Sequence, residues 1–380
     1  MNNLYRIRNF IFICIFGIFT FFQVFANTYS VFVNSRFSYI IVLVECLFLM
    51  LMLLLSIDVF FSSLGNFILF LVISIVLVFM YINQGYNELI FPLLAFFCIK
   101  TIGLQTTLKV DFYIRLSSIA LIIILSSFNY LLSNNVINSV NGKLRYSLGF
   151  SNPNALSQML FVLFLESIIL RFSKNRIRFT IFILFDLLIV LFVSKSRTTI
   201  ILMIAFLFIN YFLTKHFNLL MRHQWVRLSL IGLPIIFFML MFVLVSLYRE
   251  KDIAFFNNLN FVLSNRLGLA AFYLNKYPIT LWGQRIVTHS GIGLSSINYG
   301  ALDIGYINLL IKFGAIPSFV FIILMSLTLH KLINNKKITY LAAFIVFIFL
   351  GLSEATFYYT SYNVTLYMFS ILLNYKYTKV

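Results

Sequence analysis

"FTIFILFDLLIVLFVSKSRTTIILMIAFLFINYFL", residues 179–213, contains two apolar runs joined by the short polar link SKSRTT. Extended into the residues that flank the quoted stretch, each run reaches the roughly 20 residues that a helix needs to cross about 30 Å of hydrocarbon. The pair therefore reads as two membrane-spanning helices with a tight connection. Strands are excluded on physical grounds: lipid satisfies no unpaired backbone group, and the polar alternation of a barrel is missing here. Runs of the same kind recur in both directions along the chain. A span-length window predicts about 12 helices, centred near residues 17, 47, 73, 96, 122, 163, 186, 206, 238, 320, 347 and 367.

Composition agrees. Hydrophobic residues make up 62% of the 380 and charged residues 10%, with a mean hydropathy of +1.01, which places the chain among proteins whose solvent is lipid. The expected fold is all-α: one integral membrane domain over residues 1–380, with no room for a large soluble domain. The apolar run after Arg6 and Arg8 imitates a signal peptide, but it has no convincing small-residue cleavage site and reads as a retained first span. Cys14, Cys46 and Cys98 each lie inside an apolar run, so neither a disulfide framework nor a cysteine-rich metal site is expected. The 47 Phe follow a general Phe, Ile, Asn and Lys excess that reflects an AT-rich genome and carry no functional weight.

The formal charge is +18, and its distribution decides what it means. With a cytoplasmic N-terminus, the inside connections collect Arg6 and Arg8, Lys100, Lys109 and Arg115, the cluster RFSKNRIR, and Lys331, Lys336 and Lys337. Both termini are then cytoplasmic. A second set of cations falls on the outer face against the orientation rule: Lys143, Arg145, Lys195, Arg197, Arg249, Lys251, Arg266, Lys276 and Arg285. Five of these lie in the longest loop, about residues 248–303, which is too polar to span and too short to be a domain. Basic residues divided between two membrane faces do not form the single stripe that nucleic acid requires.

Three outer-face stretches carry the candidate chemistry. In RYSLGFSNPN, residues 145–154, Asn152-Pro153-Asn154 suits a helix start, with Asn as cap, Pro in the first turn and free amides that favour an anion beside Arg145. A helix cap with a solvated arginine is the plainer alternative. Arg197, in SKSRTT, is held at the interface by its short link, where a charge needs a partner unless it snorkels to lipid headgroups. The third stretch runs from NRLGLAAFYLNKYPITLWGQ to LDIGYINLLIKFGAI and holds Arg266, Arg285, His289, Asp303 and Tyr306. His289 and Asp303 are candidate general bases; Asp303 also suits a helix N-terminus, and Tyr306 an interfacial aromatic position.

Taken together, Arg-x3-Gly-Phe-x2-Pro-Asn, the Ser-Arg after an apolar span, an Arg ahead of an apolar-Gly corner and Asp-x2-Tyr-x7-Gly at the start of a late helix resemble the O-antigen and capsular-polysaccharide polymerase family, relatives of the O-antigen ligases. The resemblance spans roughly residues 140–320. It implies a membrane glycosyltransferase of the bacterial cytoplasmic membrane. Its substrate would be a polyprenyl-diphosphate-linked oligosaccharide; membrane lipid, and as further candidates a chain-length regulator and a flippase, would be its partners. Arg145, Arg197, Arg266, Arg285, Asn154 and Tyr306 would bind substrate. Asp303 and His289 would act in catalysis. Asp303 stands where the ligases usually carry a His, which favours polymerase over ligase.

No cofactor and no metal are expected, because the diphosphate is itself the leaving group and nucleotide-binding and zinc motifs are absent. Two alternatives stay open. One is a ligase that passes the glycan to a different acceptor. The other is a flippase or transporter coupled through the intramembrane acids Glu45, Glu166 or Asp186, which could instead be protonated or paired with Arg115 or Lys312.

Overall fold

The computed structural model describes residues 2–84, 88–133, 136–137, 144–171, 176–250, 254–287 and 301–374. The chain is all-α apart from a two-residue antiparallel ladder pairing Val136 with Arg145 and Ile137 with Leu144. Among the described residues, eight helices are long and apolar enough to cross a membrane: Arg6–Phe25, Ser35–Leu55, Leu64–Gln84, Pro153–Leu170, Ile177–Ser194, Arg197–Arg222, Gln224–Tyr248 and Ala315–Asn334. It is a multi-pass membrane protein.

Four expected spans take other forms. Ile90–Ile102 and Ile338–Leu350 are apolar helices of 13 residues each. Leu104–Ser127 has the length but carries Asp111 and Arg115 in its middle. The segment expected near residue 367 is a 3-10 helix, Val364–Leu372, nine residues long and buried. Irregular backbone of this kind is tolerated within a membrane where protein covers it.

The chain divides into two compact units. The first comprises residues 1–67, 94–211 and 360–380. Its centre is Pro153–Leu170, buried on every side from Ala155 to Ser167, whereas most of Ile177–Ser194 faces outward. Leu104–Ser127 packs on Asn2–Phe25 and on the central helix through one stripe: Thr107, Leu108, Asp111, Phe112, Arg115, Ser118, Ile119 and Ile122. That spacing is one face of a 3.6-residue period.

The second unit comprises residues 68–93 and 212–359. Here Gln224–Glu250 packs against Ala315–Asn334 and against Arg266–Lys276. Among the described residues of the stretch expected as a long loop are two short helices, Ala254–Val262 and Arg266–Lys276, and a coil over residues 277–287. That coil is strapped to the start of Ala315–Asn334: the Ala315 and Ile316 amides donate to the Thr280 and Leu281 carbonyls at 2.9 and 3.0 Å. Gly283 and Gly314 cross at this point with φ of +86° and +88°, and a Cβ on either would collide with backbone of the other strand. The apolar-Gly corner and the Gly that opens the late helix thus form one junction.

Candidate functional site

In the first unit, two of the stretches singled out in the sequence meet. Asn152 caps Pro153–Leu170 by accepting from the Ala155 amide at 2.8 Å, with Pro153 in the first turn, as the sequence indicates. Capping by Asn152 leaves the Asn154 side chain to another partner. The Arg145 guanidinium donates from Nη2 to Asn154 Oδ1 at 2.6 Å and from Nε to the Ser194 carbonyl at 2.7 Å. Beside it, the Tyr146 amide donates to the Val193 carbonyl at 3.1 Å and Lys195 Nζ to the Leu144 carbonyl at 2.8 Å.

Two local features make this approach possible. Ile177–Ser194 ends in a π turn, Val190–Ser194, closed by Lys195 in the left-handed region at φ 50°. A π turn directs carbonyls away from the helix axis and is found disproportionately at functional sites. Gly149, at φ +91°, lets the 145–154 stretch pass so close to Leu104–Ser127 that a Cβ would lie 2.9 Å from Ser126 Cβ. Arg197 follows as the first residue of its helix; it is exposed and makes no hydrogen bond or ion pair with the described residues. Behind it, Thr199 Oγ1 bonds Ser157 Oγ at 3.1 Å and fixes this helix start to the central helix.

In these bonds Arg145 and Lys195 donate to neutral oxygens. With Arg197 they make a cationic turn suited to phosphate oxygens.

The second unit brings Arg266 and Asp303 together and adds a residue that the sequence did not reveal. Arg266 Nη2 pairs with Glu354 Oε1 at 2.9 Å, Nη1 donates to the Ser353 carbonyl, and Nε lies 3.5 Å from Asp303 Oδ2. The side chains are 15% (Arg266), 24% (Asp303) and 11% (Glu354) exposed, so Asp303 is the most open of the three. Arg266 opens its helix directly after Asn265, a residue in the left-handed region at φ 64°. Asn260 steadies this start, accepting from the Gly268 amide at 2.9 Å.

The two acids are held from behind. Asn308 Nδ2 donates to the Leu302 carbonyl at 2.7 Å, and Tyr358 donates to Asn308 Oδ1 at 3.0 Å. Gly305 allows the close approach of the Glu354 backbone, since a Cβ there would sit 2.6 Å from the Glu354 carbonyl oxygen.

The other candidates fall elsewhere. Tyr306 is fully buried, its hydroxyl donating to the Ile348 carbonyl at 2.9 Å and its ring against Phe357, so it serves as a packing anchor in this conformation. Arg285 is exposed in the 277–287 coil, without a hydrogen bond or ion pair to the described residues. His289 lies outside the described residues. A shallow groove lined by Phe242, Ser246, Leu274, Asn275, Pro278 and Ile279 runs beside Arg266–Lys276.

Arg115, read from the sequence as a loop cation, is instead fully buried in the first unit. It chelates Asp111 through Nε and Nη2 at 2.9 and 2.8 Å, lies 3.9 Å from Glu166 and donates to the Ser361 carbonyl at 2.5 Å. Asp111 also accepts from Thr20 at 3.1 Å. This cluster satisfies irregular backbone ahead of the 3-10 segment, the requirement lipid imposes. Glu45 and Asp186 are likewise buried within their helices. In the second unit, Lys312 pairs with Glu88 at 2.5 Å.

Fold and sites together define an all-α, multi-pass membrane protein whose units each carry an arginine-centred polar cluster. No family model, no curated protein and no solved structure matches the chain.

Proposed function

We propose that this protein is a polysaccharide polymerase of the bacterial cytoplasmic membrane that joins polyprenyl-diphosphate-linked oligosaccharide repeats on the outer face. In this reading the chain crosses the membrane about 12 times, with both termini cytoplasmic and the 248–303 stretch outside. What supports it is the meeting, inside each unit, of stretches recognised separately in the sequence: RYSLGFSNPN with SKSRTT through Arg145 and Ser194, and Arg266 with Asp303.

The reaction transfers the growing glycan from its carrier to the non-reducing end of a new lipid-linked repeat. The acceptor hydroxyl oxygen bonds to the anomeric carbon, its proton passes to the Asp303 carboxylate, and the bond from the anomeric carbon to the diphosphate oxygen breaks with its electron pair leaving on the diphosphate. Arg145 and Arg197, in the first unit, offer forked and permanently charged donors suited to the phosphate oxygens of the lipid-linked substrate.

Deletion of the gene tests the proposal. Cells without it should carry single-repeat glycans in place of the polymer ladder, with the ladder restored by the intact gene. An unchanged ladder would overturn the reading.

A further inference from the structure

Arg266 differs from Arg145 in what it touches, and the difference bears on the ligand. Arg145 donates to an amide oxygen and a backbone carbonyl, both neutral. Arg266 is engaged by Glu354, by the Ser353 carbonyl and, at 3.5 Å, by Asp303. A diphosphate approaching Arg266 would meet two carboxylates and would have to displace one of them, whereas a neutral hydroxyl meets no such repulsion. Carboxylate oxygens have several acceptor positions each, and a pair of sugar hydroxyls can donate to them while a guanidinium N–H answers a hydroxyl oxygen.

We propose that Arg266, Asp303 and Glu354 form a subsite for the hydroxyls of a neutral sugar, the acceptor end of the glycan in the reading above, on which this assignment rests, and that Arg266 is a positioning residue for the two acids. Glu354 is the member with no counterpart in the sequence motifs. Its carboxylate holds the guanidinium from one side so that the more exposed Asp303 stays aimed at the ligand.

The test uses the full chain in lipid nanodiscs and two probes. The first is a phosphate-free oligosaccharide released by mild acid from the producing cell's own surface polysaccharide; the second is inorganic diphosphate. Saturation transfer to the sugar ring protons should be seen with the wild type and should fall about tenfold in Glu354→Gln and in Asp303→Asn, since each loses a charged acceptor. It should persist in Arg145→Ala and in excess diphosphate. Phosphorus line broadening of diphosphate should show the reverse dependence, lost in Arg145→Ala and kept in Glu354→Gln. Near-isosteric Gln and Asn variants that elute as the wild type does remain informative on binding.

Sugar signals that are absent, or that survive both acid variants, overturn the assignment, as does diphosphate binding that requires Arg266 and not Arg145. The two proposals fail separately. A lost ladder on gene deletion with sugar signals indifferent to Glu354 and Asp303 sinks the subsite alone. An intact ladder with acid-dependent sugar signals sinks the polymerase and leaves the subsite.

Discussion

Arg145 and Ser194 stand 49 positions apart in sequence, yet the guanidinium Nε of the first donates to the carbonyl of the second at 2.7 Å. This bond joins the turn ahead of the central helix to the π turn that ends its neighbour, and it places Lys195 and Arg197 on the same connection. A forked donor is needed to reach both Ser194 and Asn154, and lysine has no fork. Arg145→Lys should therefore weaken the ladder as severely as Arg145→Ala, read as chain-length distribution at matched protein level.

Arg197 offers the cleaner separation of activity from stability. It is exposed at the start of its helix, so replacing it should change stability by no more than about 0.5 kcal/mol. If it binds diphosphate through its fork, Arg197→Lys should lose most polymerisation while protein level stays normal. Wild-type ladders from both Arg197→Lys and Arg197→Ala would remove this cation from the site.

The buried pair in the first unit predicts the opposite pattern. Arg115→Met leaves Asp111 buried without its chelating partner and should destabilise the protein by about 3–5 kcal/mol. Joint replacement by Asp111→Leu and Arg115→Met should recover part of that loss. Thermal unfolding in detergent reads both, and equal melting temperatures for Arg115→Met and the wild type would contradict the account of the cluster.

Gly305→Ala tests how Glu354 is placed. A Cβ at this position would press on the Glu354 carbonyl oxygen at 2.6 Å and on the Phe357 ring. Shifting this backbone should draw Glu354 off Arg266 and reduce polymer yield at least about tenfold, the cost of one charged hydrogen bond. Full activity in Gly305→Ala would show that the spacing does not matter.

How much of this was legible in the sequence follows from the solvent. Long apolar helices are read from length alone, and they are present. Lipid tails are as apolar as leucine, so the buried Pro153–Leu170 and the outward-facing Ile177–Ser194 both read as spans, at mean hydropathies of 1.5 and 2.4, and the apolar run at Val364–Leu372 reads like a long helix. The orientation rule counts cations without asking about partners and so puts Arg115 in a loop, whereas the alternative that it pairs with an intramembrane acid agrees with its 3.9 Å approach to Glu166. Its spacing of four from Asp111 was the available signal for a buried pair. The Asn152 cap was legible because capping is local. Glu354 was not, since its partner lies 88 residues away and nothing beside it in the sequence marks the pairing.

The topology can be checked chemically. With the three native cysteines replaced, Asn275→Cys should react with an impermeant thiol reagent added to intact cells and Lys336→Cys should not. Labelling of Lys336→Cys from outside would invert the proposed orientation.

The most direct measurement reconstitutes the full chain with lipid-linked repeats collected from cells lacking the gene and follows glycan length and released carrier together. The account predicts polymer growth with one polyprenyl diphosphate freed for each bond formed, abolished in Asp303→Asn and in Arg197→Lys. Repeats that cross the bilayer without lengthening, or polymer that forms equally well with both variants, would contradict it.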